Sequence, residues 1–167
     1  MLKIIITGPE SSGKTTLCEA LSRHFKIPFS NEYARKYLNK IKKKYTEADL
    51  MKIAKGQLES EENFAILDTD LITIKIWSDY KYGNCNNWIL QKINKQKSQN
   101  RFYFLCKPDI KWEKDQLREN PNDRMQLFEI YKKELEELNH NYYIIEGENR
   151  ITNAIKKISL HRGINKL

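Results

Sequence analysis

The residues with the clearest chemical potential form one short segment near the amino terminus. Two glycines, a lysine and a threonine are spaced G-x-x-x-x-G-K-T over residues 8–15, directly after the apolar run 3–7 and before a helical pattern. In this setting glycine lets consecutive backbone N–H groups converge on phosphate oxygens, and the start of the helix adds partial positive charge. The segment therefore predicts a phosphate-binding loop. It consists of Gly8, Pro9, Glu10, Ser11, Ser12, Gly13, Lys14, Thr15 and Thr16.

The same loop predicts ATP and Mg²⁺ as cofactors. Lys14 is expected to reach the β- and γ-phosphates, and Thr15 to place its hydroxyl on the metal ion. Asp68 follows the apolar run 64–67, at the end of a predicted strand, where open α/β sheets bind ligands. We expect Asp68 to be the second metal-binding residue, holding Mg²⁺ through its water shell; a helix N-cap is its structural alternative.

Two further carboxylates are candidates for acting on an acceptor molecule. Glu32 and Asp70 are expected to bond acceptor hydroxyls, and one of them to take the proton from the attacking oxygen. The sequence leaves open which of the two is the base. Each also has a structural alternative, because Asp70 would stabilise the first turn of a helix and Glu32 would pair with Arg35 on one helix face.

A polar segment after the fourth predicted strand, residues 107–124, carries Arg118 and Arg124. Phosphoryl transfer requires that water is excluded and that charge around the transferred group is neutralised, and an arginine-bearing lid does both. We therefore expect this segment to close over ATP, with Arg118 and Arg124 as catalytic residues. An ordinary solvated loop is the alternative.

Short strings distinguish the classes of P-loop protein. The sequence contains no N-K-x-D or T-K-x-D string, which would read guanine, and no D-x-x-G switch. A regulatory GTPase is therefore disfavoured. Motor-type and AAA-type ATPases usually place a glutamate after the strand-end aspartate to polarise water, whereas here Thr69 follows Asp68. Efficient ATP hydrolysis is not expected, and a kinase is favoured.

Apolar runs that alternate with helical patterns indicate a single α/β domain over the 167 residues. Thr46 and Asp49 have the spacing of a capping box, which predicts a helix that ends near Asn63. Predicted strands cover or end at residues 3–7, 29–31, 64–67, 102–105 and 142–145, and further predicted helices cover 70–81, 86–97 and 124–138. This alternation implies five parallel strands with helices on both faces.

Composition limits the possible partners. The net charge of +8 comes from lysines spread along the chain, with one dense run at residues 40–44. Because such a run is more often a solvated face, nucleic acid is not expected as a partner. The apolar run 3–7 is too short for a signal peptide or a membrane span, and the three cysteines lack metal or disulfide spacing. We expect a cytoplasmic protein without a membrane partner and make no prediction of its oligomeric state.

The order of motifs along nearly the whole chain resembles the ribosylnicotinamide kinase domain of NadR-type proteins and their stand-alone relatives. The matching segments are 8–17, 32–35, 53–57, 68–70, 82–83, 108–119 and 124–128. The resemblance implies a three-layer P-loop NTPase sandwich with strand order 2-3-1-4-5 and a short lid. It also implies ATP-dependent phosphorylation of the 5′-hydroxyl of nicotinamide riboside to nicotinamide mononucleotide, a step in NAD biosynthesis.

The acceptor rests on the resemblance, and two alternatives stay open. One is a kinase for another nucleoside or a thiamine-like acceptor, and the other is an ATP-binding regulatory module without turnover. The multifunctional relatives place an adenylyltransferase domain, and sometimes a DNA-binding domain, before the kinase, whereas this chain opens on the kinase strand. Neither of those activities is expected here.

Nicotinamide is a flat cation, so its binding site is expected to stack aromatic rings on it. The candidates are Tyr33, Trp77, Tyr80 and Tyr82, of which Trp77 and Tyr82 lead; for each, a place in the core is the alternative. The resemblance also brings Gln57 near the acceptor and lets Arg35 contact a phosphate or orient Glu32. The expected acceptor site therefore consists of Glu32, Tyr33, Arg35, Gln57, Asp70, Trp77 and Tyr82.

Overall fold

The computed structural model describes residues 2–41 and 44–160. In these ranges the strands are β1 Lys3–Thr7, β2 Phe29–Ser30, β3 Ile66–Asp68, β4 Arg101–Cys106 and β5 Asn141–Ile145. The helices are α1 Lys14–Phe25, α2 Tyr33–Ile41, α3 Glu47–Ser60, α4 Leu71–Tyr82, α5 Asn87–Gln96, α6 Arg124–Glu137 and α7 Arg150–Leu160. Two lysines of the basic run, Lys42 and Lys43, lie outside the described residues.

The five strands form one parallel sheet in the order β2-β3-β1-β4-β5. In the central strand β1, Ile4 lies beside Ile66 of β3 on one side and Phe102 of β4 on the other. Each parallel neighbour needs a crossover, and the helices supply it. The predicted α/β P-loop fold and its strand order are confirmed.

Successive side chains of a strand point to opposite faces, so each strand contributes to two cores. Ile4, Ile6 and Phe104 belong to a core that also contains apolar residues of α1 and α7. Ile5 and Tyr103 belong to the opposite core, with residues of α2 to α6. Strand β4 and all of β1 except its first residue are buried, so both strands are covered on both faces, as their apolar sequences predicted.

One difference between the predicted and observed element boundaries lies at the third strand and matters for the site. The third strand was predicted over residues 64–67, but β3 runs over Ile66–Asp68, so Asp68 is itself a strand residue. The capping box is confirmed, because Thr46 and Asp49 exchange the two expected bonds at the start of α3. In residues 2–41 and 44–160, no helix combines the length and apolar character needed to cross a bilayer.

Candidate active site

The backbone of the loop between β1 and α1 depends on its glycines. Gly8 has a φ of +133°, and a Cβ there would lie 2.6 Å from the carbonyl oxygen of Cys106 in β4. Gly13 caps α1 with a φ of 81°. The Ser12 hydroxyl donates to the carbonyl oxygen of Pro9 at 2.8 Å and closes the loop on itself. This compact turn places the amino terminus of α1 at the edge of the sheet where β1 ends. A helix amino terminus in such a position attracts an anion.

Three side chains at the loop, Lys14, Thr15 and Asp68, supply a positive charge and oxygen atoms that can bind a metal ion. The Lys14 ammonium donates to the Pro9 carbonyl oxygen at 2.8 Å, so it folds back over the loop. Thr15 Oγ1 donates to Asp68 Oδ2 at 2.6 Å. Asp68 is buried, and its second oxygen, Oδ1, has no hydrogen-bond partner among residues 2–41 and 44–160. Burial raises the pKa of the Asp68 carboxyl, against the opposing effects of Lys14 and of the Thr15 bond.

These groups fit a magnesium ion. Mg²⁺ takes hard oxygen ligands and is usually bound through one or two protein groups together with phosphates and water. Thr15 Oγ1 and the unpartnered Asp68 Oδ1 offer such oxygens beside the phosphate-binding loop. No cluster of three or more His, Cys, Asp or Glu residues suited to a metal occurs within the described ranges.

A cavity beside the phosphate-binding loop is lined by residues of the loop and by side chains from distant parts of the chain. Besides residues 10–16 of the loop, the lining residues are Glu32, Arg35, Leu38, Trp77, Ile110, Glu113, Leu117 and Arg118. The structure therefore brings together the phosphate-binding loop and four of the residues singled out from the sequence: Glu32, Arg35, Trp77 and Arg118.

Glu32 lies between β2 and α2 and faces both this cavity and a smaller one lined by Thr73 and Tyr131. Burial raises the pKa of the Glu32 carboxyl, and the positive charge of Lys14 opposes that shift. Because Glu32 precedes α2, its alternative as a partner of Arg35 on one helix face does not hold. Arg35 instead forms an ion pair with Asp115 at 2.8 Å.

The segment between β4 and α6 packs against the phosphate-binding loop. Backbone N–H groups of Glu119 and Asn120 donate to the carboxylate of Glu10, each at 3.0 Å. The Glu113 N–H donates to Ser11 Oγ at 3.0 Å. The Arg124 guanidinium donates to the Ser11 carbonyl oxygen at 3.0 Å. The segment expected to form a lid thus packs against the loop, where Arg124 bonds the loop backbone and does not line the cavity.

The structure contradicts the predicted contact between Asp70 and an acceptor. The Asp70 side chain is fully buried and accepts bonds from Arg101 at 2.9 Å and from the Tyr103 hydroxyl at 2.7 Å. It also caps α4 by accepting the Ile72 N–H at 3.1 Å. The cause is Thr69, whose φ of 68° is left-handed. A regular strand would place Asp68 and Asp70 on one face, but this kink turns Asp70 to the opposite core.

Three further acceptor candidates also lie outside the cavity. Gln57 is buried, where its Oε1 accepts the Tyr33 N–H at 3.0 Å and its Nε2 donates to the Thr69 carbonyl oxygen at 3.1 Å. The Tyr33 ring packs on Gly56, where a Cβ would lie 2.2 Å from the ring. Gln57 and Tyr33 therefore hold α2, α3 and the Thr69 kink together. Tyr82 reaches the Tyr45 carbonyl oxygen at 3.3 Å, away from the loop.

Sequence reasoning missed Arg150, at the start of α7. Its guanidinium donates to the Ser12 carbonyl oxygen at 2.8 Å and to the Lys107 carbonyl oxygen at 2.5 Å, and it also contacts Asp109. One residue thus joins the phosphate-binding loop to the first residues of the lid. No local motif marks Arg150, because its partners are 138 and 43 positions away in sequence.

Comparison with known proteins agrees with this geometry. Residues 3–150 match a family described as AAA domain. No curated protein sequence matches the chain. A NadR protein in complex with NR has a TM-score of 0.74 at 21% identity, covering 97% of this chain and 52% of that one. A NadR protein in complex with NAD and AMP-PNP has a TM-score of 0.68 at 20% identity, covering 99% and 50%.

A third similar structure is deoxyadenosine kinase from M. mycoides with bound dCTP, at a TM-score of 0.60 and 13% identity, covering 95% of this chain and 99% of that one. At such low identities the likeness is one of fold, and the chain spans about half the length of the NadR chains. Thr69 still stands where AAA-type ATPases carry a glutamate, so the family description brings no hydrolytic glutamate with it. The chain belongs to the AAA domain family and has the α/β P-loop fold that the NadR structures share.

Proposed function

We propose that this chain is an ATP-dependent small-molecule kinase and that its acceptor is nicotinamide riboside, which it converts to nicotinamide mononucleotide. One observation carries the proposal: a single cavity is lined by the phosphate-binding loop, by the carboxylate of Glu32 and by the ring of Trp77. A phosphoryl donor and an acceptor hydroxyl bound in this cavity would lie side by side. Proximity of that kind supplies much of the rate of phosphoryl transfer.

The residues of the cavity divide the work of transfer. The loop amides and Lys14 hold the triphosphate, and Arg118 from the lid adds positive charge where it develops on the transferred group. Thr15 and Asp68 would hold Mg²⁺, which would supply further charge neutralisation when bound. As the acceptor oxygen forms its bond to the γ-phosphorus, the bond from phosphorus to the β–γ bridging oxygen breaks and ADP leaves. Glu32 takes the acceptor's proton.

Glu32 is favoured over Asp70 as the base on two grounds. Glu32 lines the cavity, whereas Asp70 is enclosed by Arg101 and Tyr103 in the opposite core. Burial also raises the pKa of Glu32, which makes its carboxylate a better proton acceptor than an exposed one.

Nicotinamide riboside is the proposed acceptor because the wall of the cavity suits a flat cation. The Trp77 and Tyr45 rings are stacked with centroids 6.0 Å apart and an interplanar angle of 18°. Trp77 faces the cavity, so a pyridinium ring can gain apolar contact and cation–π attraction there. The NadR protein of similar fold is in complex with NR, which supports the same acceptor class.

The test is a transfer assay with purified protein, ATP and Mg²⁺. We expect ADP release that depends on nicotinamide riboside, together with a product heavier by one phosphate in mass spectrometry. Lys14→Ala and Glu32→Gln should each abolish most of the product while the thermal midpoint stays unchanged. Lys133→Ala, on the exposed face of α6, serves as the matched control.

Other results would redirect the assignment. Product formed only with another nucleoside or with thiamine would keep the kinase and replace the acceptor. Calorimetric binding of Mg·ATP without transfer to any acceptor would identify a regulatory nucleotide-binding module. A folded protein that fails to bind Mg·ATP at all would overturn the proposal.

A further inference from the structure

One lid residue, Glu119, touches both sides of the candidate active site. Its backbone N–H donates to the Glu10 carboxylate in the phosphate-binding loop at 3.0 Å. Its side chain points the other way and accepts a bond from the Tyr45 hydroxyl at 3.0 Å. Main chain and side chain of the same residue therefore link the nucleotide side of the cavity to the acceptor side.

The acceptor side is built around a cation. The Lys81 ammonium lies 3.7 Å from the centroid of the Tyr45 ring and 3.2 Å from each carboxylate oxygen of Glu119. Tyr45 in turn stacks on Trp77, which lines the cavity. We call Tyr45, Trp77 and Lys81 the acceptor wall. A molecule that binds against Trp77 therefore also affects the Tyr45 ring stacked on it, and the Tyr45 hydroxyl is hydrogen-bonded to Glu119 of the lid.

The nucleotide side is fixed by Glu10, whose side chain has a role that the loop motif does not require. Its carboxylate accepts the N–H groups of two consecutive lid residues, Glu119 and Asn120. A carboxylate held by adjacent amides is the arrangement of a small anion-binding turn. Glu10 thereby fastens the lid directly to the loop that receives the phosphates.

We propose that Glu10 and Glu119 are positioning residues that couple closure of the lid over the nucleotide to the arrangement of the acceptor wall. The proposal rests on the kinase function proposed above. The lid reaches its closed position over the loop only while the acceptor wall holds the Glu119 side chain.

The contacts between Glu119 and the acceptor wall are individually weak. Removing them should therefore change the stability of the lid without unfolding the domain, and that change can be measured. Half of the Glu119 side chain is exposed, so solvent screens its pairing with Lys81. Loss of the wall contacts should therefore loosen the lid without unfolding the domain. Local opening of this kind is read by exchange of the amides that open.

The deciding experiment follows hydrogen exchange of the Glu119 and Asn120 amides by NMR in the protein without ligands. The Glu10→Ala variant removes the acceptor of both amides directly, so it should remove most of their protection from hydrogen exchange. The double variant Tyr45→Phe with Lys81→Met leaves residues 10, 119 and 120 untouched, yet we expect these two amides to exchange about fivefold faster. Lys133→Met, which breaks an exposed pair with Glu137 on α6, is the matched control and should leave exchange unchanged.

Unchanged exchange in the double variant, with the fold intact by its remaining amide signals, would overturn the proposal. The Glu119→Gln variant provides a second test. Its side chain keeps a hydrogen-bond acceptor for the Tyr45 hydroxyl but loses the negative charge that faces Lys81. Its protection factors should fall between those of the wild type and Glu119→Ala. The exchange measurement needs no acceptor, so failure of nicotinamide riboside as a substrate would count against the proposed function and leave this test decisive on its own.

Discussion

Two aspartates separated by a single residue, Asp68 and Asp70, end up in opposite parts of the molecule. Asp68 faces the phosphate-binding loop, where one of its oxygens accepts from Thr15 and the other has no partner in the part of the chain that the structure describes. Asp70 lies in a buried polar cluster with Arg101, Tyr103 and Glu61. Both are almost completely buried. Their difference lies in how many bonds the surrounding protein already makes to them.

Between these two aspartates, unfilled bonding capacity, rather than burial or charge, is the property that differs, and it favours Asp68 over Asp70 for the proposed metal-binding role. Every oxygen of Asp70 is engaged, by Arg101 and Tyr103 on one side and by the Ile72 N–H on the other. A buried carboxylate oxygen without a partner costs stability, and such a cost persists in a protein where a ligand supplies the missing contact. Asp68 has that feature, and Asp70 does not.

The largest expected effect separates the two aspartates by their kinetics. Asp68→Asn removes the charge beside Thr15 and should lower kcat on the order of 10³-fold, because the metal loses its protein carboxylate. Asp70→Asn keeps an acceptor for the cap of α4, so it should leave the kcat of the folded protein within about threefold. Both variants are measured in the same transfer assay at saturating Mg·ATP.

Stability should show the reverse order. Asp70→Asn removes a charge that faces Arg101 and is expected to cost about 2 kcal/mol of unfolding free energy, whereas Asp68→Asn should cost little. Equal losses of kcat in the two variants would contradict the distinction between a functional and a structural aspartate. Urea denaturation of both proteins completes the comparison.

A second prediction concerns the guanidinium at the centre of the buried cluster. Arg101 is buried and bonds Asp70, Glu61 and the Tyr103 hydroxyl. Arg101→Met keeps the apolar length of the side chain but leaves two buried carboxyls without their cation, so it should lower the unfolding free energy by about 3 kcal/mol. The measurement is urea denaturation.

The matched control for this variant is Arg23→Met, an exposed arginine at the end of α1, which should change stability by less than about 0.5 kcal/mol. At low temperature, the folded fraction of the Arg101→Met protein should retain its kcat within about threefold, because the cluster lies outside the cavity. A large loss of kcat in a well-folded Arg101→Met protein would show that the cluster acts on the site after all.

The sequence was sufficient for the sheet and for the phosphate-binding loop because both depend on local patterns. Apolar runs alternating with helical patterns predicted the five parallel strands, the resemblance implied their order, and the G-x-x-x-x-G-K-T spacing located the loop between β1 and α1. It was insufficient for Asp70 because a single left-handed residue, Thr69, reverses the face on which the next side chain lies. No propensity of threonine announces that backbone conformation, since the fold imposes it.

Long-range contacts were the other limit on what the sequence could predict. Arg101 lies 31 positions from Asp70, and Arg150 lies 138 positions from Ser12. Both arginines stand in ordinary surroundings in the sequence, at the start of a strand and of a helix. Their roles arise only when the parallel crossovers bring the segments together, so periodicity and motif spacing carry no sign of them.

A pH-dependent effect is expected at the edge of the buried cluster, where Glu61 shares Arg101 with Asp70. One oxygen of Glu61 is buried without a partner among the described residues, and burial raises the pKa of this carboxyl to about 7 despite the opposing charge of Arg101. The folded-state pKa thus exceeds the ordinary value of 4.5, so the folded protein binds the extra proton between these pH values. Stability should therefore fall as pH rises through this window, by at most ~1.4 kcal/mol per pH unit.

Glu61→Gln tests this prediction because the amide imitates the protonated carboxyl at every pH. We expect the unfolding free energy of the variant to vary less with pH than that of the wild type between about pH 5 and pH 7. Urea denaturation at several pH values gives both curves, and Glu62→Gln, at the exposed neighbouring position, is the control. Parallel curves for wild type and Glu61→Gln would contradict the prediction and mean that Glu61 stays ionised beside Arg101. Both carboxylates of this cluster would then be stabilised by the charge of Arg101, in contrast to Asp68.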